Sequence, residues 1–345
     1  MKKFLNKVWN FLKKFPVMVT LIIVIPITIF SGRYLFSTEY IYYNLFYEGE
    51  HLQADPDTFR LTGIKKIANM YQGGSGFSYQ GGAGYDNYYA VCADCFETII
   101  IYDVETMKVE HNIPTGMMET TWHCNQMFFG PHFYTSSDKF PLLYVSMEHK
   151  DVMSTMAFRI YQNGANYKVD LVQTLHLYCK EDEPLYFPNS YYDFDTDLIW
   201  YGGYTKNSYM KSDDNFLKFY AFDLPDYRLT DEWLMVQEAE DSMTLPSETA
   251  TQGGFISSGR LYQTFSFDKK DDPLRAPKMR VVDLSEKKIT LDYQNLGEKF
   301  GVYKEFEHVA ICSNGKMYSV GNPFEIYEFE FTSDASDDLM DDEIE

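Results

Sequence analysis

The chain has 345 residues, 45% hydrophobic and 17% aromatic, with 29 Tyr and 27 Phe. Its formal net charge is -21, and Lys2, Lys3, Lys7, Lys13, Lys14 and Arg33 all precede residue 34 with no acid among them, so the rest of the chain is more acidic still. A surface of that sign repels phosphate backbones, which excludes nucleic acid as an expected partner; it suits cations, basic partners or plain solubility.

In chain order, a basic segment at 1–14 is followed by an uncharged run from Phe15 to Ser31, rich in Val, Ile and Leu. Residues 15–33 are near the lower limit for spanning a hydrocarbon core of ~30 Å, and Pro26 is tolerable in a membrane helix. No small-residue cleavage motif follows, so the run reads as an uncleaved signal anchor rather than a signal peptide. Lysines before it and a single Arg33 after it place the N-terminus in the cytoplasm and the remainder in the periplasm or outside the cell. Residues 34–57, dense in Tyr and Phe, read as an interfacial linker.

Beyond residue 57 the chain alternates apolar and polar residues between turn signals, with no long stripe of helical period. A first group of strands runs Tyr79–Tyr85, Tyr88–Ala93, Thr98–Asp103 and Lys108–Ile113. A second runs Trp122–Phe129, Leu142–Met147, Met156–Gln162 and Tyr167–Leu175. The third is Ser190–Phe194, Leu198–Gly203, Leu217–Leu224 and Trp233–Val236, and the fourth Gly253–Ser257, Arg260–Phe267, Lys278–Leu284 and Lys288–Tyr293. A fifth shows only three, Glu307–Cys312, Lys316–Val320 and Glu325–Phe331; Thr58–Ala68 is the candidate to complete it and close the ring. Repeated four-strand units predict an all-β fold, a β-propeller over residues 58–331. Five blades are expected, or six if the long second group hides another, and residues 332–345 form an acidic, disordered tail.

Ile101-Tyr102-Asp103-Val104-Glu105-Thr106-Met107-Lys108-Val109 and Val281-Val282-Asp283-Leu284 are strand–turn–strand segments similar to those of the broad YVTN/NHL-like β-propeller group. The resemblance implies the scaffold. The group spans binding modules, scaffolds and enzymes, so it implies no activity.

Chemistry is sparser. Cys92-Ala93-Asp94-Cys95 is one Cys-x-x-Cys pair where a zinc site needs four ligands; His123 and Cys124 are the residues that would complete it. A redox pair opens a helix, whereas this one sits at a β turn, and the reading is of ordinary thiols or a disulfide. Asp193, Asp195 and Asp197 alternate as in a Ca²⁺ loop but lack its Gly and bidentate Glu, and an Asp-rich turn accounts for them; no metal and no cofactor is expected. Gly73-Gly74-Ser75-Gly76 lacks the Lys of a phosphate loop.

The inner-strand starts carry Gln80-Gly81-Gly82, His123-Cys124-Asn125, Asn189-Ser190, Gln252-Gly253-Gly254 and Glu307-His308. Propeller symmetry brings such positions to one end of the channel. Gln80, Gly81, Gly82, His123, Asn125, Asn189, Gln252, Gly253, Gly254 and His308 are therefore the candidate ligand rim, with inter-blade hydrogen bonding the competing explanation. His123 and His308 are the candidate acid–base residues, with Glu307 and Asp138 in support. No nucleophile elbow or His-Glu-x-x-His segment occurs. The expected function is binding of a protein partner or small polar ligand at the channel face of a membrane-anchored propeller. A hydrolase or lyase acting on a sugar or peptide-like substrate is the alternative, and a structural role in an envelope complex the third reading.

Overall fold

A computed structural model describes residues 61–69, 79–117, 122–149, 152–180, 182–265, 267, 272–321 and 325–331. The expected anchor, the 34–57 linker, the Gly73–Gly76 loop and the acidic tail lie outside the described residues. Among the described residues no helix is long and apolar enough to cross a membrane.

Five antiparallel meanders follow one another along the chain. After β1 (Leu61–Asn69), blade 1 is β2 (Tyr79–Tyr85), β3 (Tyr88–Ala93), β4 (Thr98–Asp103) and β5 (Lys108–Pro114). Blade 2 is β6 (Trp122–Phe129), β7 (Leu143–His149), β8 (Val152–Asn163) and β9 (Asn166–Tyr178). Blade 3 is β10 (Tyr186–Asp193), β11 (Leu198–Tyr204), β12 (Phe216–Asp223) and, after an excursion through β13 (Asp231–Met235), β14 (Asp241–Pro246). Blade 4 is β15 (Thr251–Ser257), β16 (Arg260–Phe265), β17 (Lys278–Asp283) and β18 (Lys288–Tyr293), followed by the short helix α1 (Leu296–Phe300). Blade 5 is β19 (Ala310–Ile311), β20 (Met317–Gly321) and β21 (Glu325–Phe331), with β1 as its fourth strand. The fold is a five-bladed β-propeller.

The closing strand is the expected one. β1 lies antiparallel to β21 with Ile64 opposite Phe329, and Leu61 and Ile64 are wholly buried. First and last segments thus share one sheet, which leaves the ring without an open junction.

One strand departs from the sequence reading. The segment around Trp233 was assigned to the outer edge of blade 3. Instead β13 adds to blade 2 as a fifth strand, parallel to β9, with Asp231 opposite Thr174 and Met235 opposite Tyr178. Alternation marks a strand but not the sheet it joins. Leu234 on this strand is buried in one apolar cluster with Leu175, Tyr192 and Phe222, between blades 2 and 3. The outer place in blade 3 goes to β14.

The repeated strand–turn–strand segment has a physical basis. At the β4–β5 turn the Asp103 carboxylate accepts from the Glu105 and Thr106 amides, and Met107 takes φ 57°. At the β17–β18 turn Asp283 accepts from the Glu286 amide and the Ser285 hydroxyl, and Lys287 takes φ 55°. The residue after each Asp, Val104 or Leu284, is buried, and its amide donates to the adjacent hairpin turn at Asn87 or Gly259. Asp therefore caps the turn while the next residue pins it to its neighbour.

Two buried ion clusters anchor the loops that lead into blades 4 and 5. Glu248 receives Lys278 at 2.6 Å and Lys211 at 2.9 Å, with Arg280 at 3.4 Å. Burial alone would raise the Glu248 pKa, but the two lysines outweigh it and hold the carboxyl below its ordinary range. In blade 5 the signs are exchanged: Lys304, on the loop, reaches Glu325 at the start of β21 at 2.8 Å, and Lys66 of β1 meets the other carboxylate oxygen.

Candidate functional site

The channel is built by β2, β6, β10, β15 and β19. Each inner strand carries one extra residue against its neighbour near its start. Tyr79 faces Ala93 and Gly82 faces Val91; Cys124 faces Met147 and Gln126 faces Ser146. Tyr186 faces Tyr204 and Asn189 faces Gly202; Thr251 faces Phe265 and Gly254 faces Gln263. In blade 5 Phe306 bridges Gly321 while Ala310 faces Tyr318. A bulge lifts backbone N–H and C=O groups out of the ladder. Where they are buried, those groups need other partners.

They find them across blades. Gln126 spans the channel, donating to the Gly254 carbonyl and accepting from the Gly254 amide at 2.9 Å. Asn189 donates to the Gln252 carbonyl at 2.8 Å, and the Gly253 amide donates to the Glu307 carbonyl at 2.7 Å. Nδ1 of His308 lies 2.7 Å from the Gln80 carbonyl, and Nε2 meets the Tyr89 hydroxyl. The carbonyl is only an acceptor, so Nδ1 carries the proton and Nε2 accepts from Tyr89. Between blades 2 and 3, the Ser190 hydroxyl bonds Ser146 at 2.7 Å and Thr155 at 2.9 Å.

The glycines follow from this filling. A Cβ on Gly82 would stand 1.7 Å from Nε2 of His308, and one on Gly253 would stand 2.0 Å from Oε1 of Gln126. Gly82 and Gly253 are thus required by large polar side chains from blades 5 and 2, whereas Gly81 and Gly254 would first meet backbone, at Gln126 and Tyr262. Gln126 was missed in the sequence reading, which stopped at Asn125; Asn125 is half-buried at the bulge itself. The available signal was the paired glycines, which imply a large neighbour.

The two histidines part company. His308 is wholly buried, and burial drives its pKa down to about 3, against a smaller opposing effect of the Gln80 carbonyl. It is a neutral side chain with both ring nitrogens engaged, a poor proton carrier for a ligand. Glu307 beside it is buried, its amide donating to the Val320 carbonyl at 3.0 Å. His123 is half-exposed, at the mouth formed by the inner-strand starts, with Nδ1 2.5 Å from Oδ1 of Asp94. Burial alone would lower its pKa; contact with Asp94 and the charges of Asp94, Glu148 and Glu305 outweigh this and raise it. Asp138, expected to support a histidine, is instead clamped by Arg159, which donates to it from Nε at 2.9 Å and from Nη2 at 2.8 Å.

The Asp-rich turn is committed internally. Asp193 accepts from the Asp195 amide and the Thr196 hydroxyl, Asp197 from the Tyr192 hydroxyl, and Asp195 from the Gly259 amide. Among the described residues no group of three or more His, Cys, Asp or Glu side chains is arranged to hold a metal ion. Cys92 does not pair with Cys95 but with Cys124, joining β3 of blade 1 to β6 of blade 2.

At the other end of the inner strands lies a cavity of about 160 Å³ to which all five contribute. Its walls include Met127, Phe128 and Phe129 of β6, Tyr191 and Tyr192 of β10, and Phe255 and Ile256 of β15. Gly82, Gly84, Ala310 and Ile311 complete it, with Phe194, 60% exposed, also in the lining. Both tyrosine hydroxyls already have partners: Gln263 donates to Tyr191 at 2.9 Å, and Tyr192 donates to Asp197 at 3.0 Å. The cavity is therefore mostly apolar, with Ser257 at its edge.

No protein-family model and no curated protein sequence matches the chain. Among solved structures it is similar to aldose sugar dehydrogenase from Streptomyces coelicolor in its PQQ-bound form, with a TM-score of 0.46 and 11% identity over 77% of this chain and 97% of that one. Myxococcus xanthus glutaminyl cyclase gives 0.42 and 10% over 77% and 94%, and a glucose dehydrogenase 0.45 and 7% over 78% and 99%. These likenesses are of the β-propeller scaffold.

Two outcomes are expected. Gly82→Ala forces its methyl into His308 and destabilises the fold by about 3 kcal/mol or more in chemical denaturation, a loss that His308→Ala partly relieves; equal stability of Gly82→Ala and wild type refutes the packing account. Because His308 has a depressed pKa when folded, the unfolded chain binds the extra proton, so stability is lost as pH falls from about 6.5 toward about 3. Denaturation midpoints across that window should fall less steeply in His308→Gln than in wild type.

Proposed function

We propose that this chain is a membrane-anchored, extracytoplasmic binding propeller that seats one apolar or aromatic side chain of a basic protein partner in the aromatic mouth of its channel. The observation that carries this is the cavity to which every blade contributes, walled by rings whose hydroxyls are already engaged. Its volume matches one ring: a cavity of roughly 150 Å³ with apolar walls accommodates benzene. That suits a side-chain anchor, the kind of group that dominates protein interfaces, better than a sugar. Exposed Phe194 at the rim extends the apolar contact area. The formal charge of -21 favours a partner of opposite sign.

Anchoring rests on the sequence at 15–33 and on the lysines before it. The Cys92–Cys124 bridge supports an oxidising compartment. The YVTN/NHL-like segments support the scaffold and add no ligand. The His123–Asp94 pair favours the second reading, a hydrolase or lyase, whose site is then the opposite mouth.

Titration of the protein with indole and p-cresol, followed by NMR, should give saturable binding that Ser257→Trp weakens at least tenfold without changing the melting temperature. Saturation by glucose with no response to either ring compound overturns the reading. For the anchor, the full chain should stay with membranes after carbonate washing, and its propeller should be digested by protease added from the extracytoplasmic side; release by carbonate refutes it.

A further inference from the structure

The Cys-x-x-Cys segment is not absorbed by binding at the channel mouth. Cys92 and Cys124 are both wholly buried and bonded to each other, whereas Cys95 is half-buried. All three sit at the junction of blades 1 and 2. The chain reverses immediately after β3: the Phe96 amide donates to the Ala93 carbonyl at 2.8 Å, which makes Ala93-Asp94-Cys95-Phe96 a tight turn. The Cys124 amide donates to the carbonyl of Asp94, the residue before Cys95, at 2.9 Å. That bond ties the turn carrying the third thiol to the backbone of a bridged cysteine. His123 and Asp94, the residues flanking Cys124 and Cys95, also meet across this junction.

We propose that this junction is a thiol–disulfide exchange site in which Cys95 takes over the Cys124 end of the buried bridge. The Cys95 thiolate attacks Sγ of Cys124. A Cys95–Cys124 bond forms, the Cys92–Cys124 bond breaks, and the electron pair leaves with Cys92 Sγ, which then takes up a proton. One disulfide and one thiol enter, and one of each remains, so the step needs no oxidant or reductant. Both bridges join blade 1 to blade 2. The first ties the end of β3 inside the core, and the second ties the more accessible turn, where an external thiol or dithiol reaches it. Exchange therefore moves the cross-link from a shielded place to a reactive one.

The test is disulfide mapping of the full chain purified without reductant and held at pH 8. Aliquots are alkylated, digested without reduction and analysed by mass spectrometry. The expected result is a Cys95–Cys124 linked peptide in wild type, together with alkylation of Cys92. In Cys95→Ser and Cys95→Ala, Cys92 alkylation should be at least tenfold slower at unchanged melting temperature. A Cys92–Cys95 linkage in place of Cys95–Cys124 overturns the proposal. So does Cys92 alkylation that proceeds as fast in both Cys95 variants as in wild type, because the bridge then opens without the third thiol.

Discussion

The structure depends on one constraint, the partnering of backbone groups that the inner-strand bulges release into the channel. Closing five twisted sheets around an axis crowds the inner strands, and each accommodates this with one extra residue near its start. A buried N–H or C=O left without a partner costs about 1–3 kcal/mol. Gln126, Asn189 and His308 meet that need from three different blades. Their bulk in turn requires glycine at positions 82 and 253. Polar channel residues, paired glycines and a neutral buried histidine are thus consequences of one backbone irregularity repeated around the ring.

That filling divides the channel. Where the inner strands start, polar side chains are spent on backbone groups, and the rim carries the half-exposed His123 with Asp94. Beyond the bulges the ladders regain ordinary register, and the lining that β6, β10 and β15 give the cavity is largely aromatic. Concavity and apolar surface are therefore found at the end where the backbone is regular, because nothing there must be filled to satisfy hydrogen bonds.

Most of the scaffold was legible from period-two alternation and turn residues, which act locally. Strands such as Tyr79–Tyr85, Trp122–Phe129 and Lys288–Tyr293 and the closure by β1 were read from sequence. What was not legible depends on distant partners. Trp233 lies on a strand that joins its sheet by pairing with β9, more than fifty residues earlier in the chain. Cys92 has a near neighbour at the spacing of a redox pair, yet bonds a cysteine 32 residues on, since its strand faces β6 and not its own turn. The inner-strand polar residues were legible, with inter-blade hydrogen bonding as one of two explanations; the choice between them was not, because a bulge shows in the pairing of two strands and in neither strand alone.

The five junctions of the ring are not held alike. Blades 2 and 3 share a serine–threonine cluster, 3 and 4 an amide bond with the Glu248 ion cluster beside it, 4 and 5 a backbone bond, and 5 and 1 the His308 network. These are hydrogen bonds and ion pairs around buried contacts, each open to local exchange with water once strained. Blades 1 and 2 alone among the described residues are joined covalently. A 32-residue loop closed by a disulfide contributes about 3–4 kcal/mol in the chain-entropy account. Both isomers of the exchange keep blades 1 and 2 linked, and moving one end of the bridge by three residues changes the closed loop little. The ring can therefore retain its cross-link while the sulfur presented at the turn changes, and this separation of stability from reactivity is available only at a junction with a third thiol in its turn.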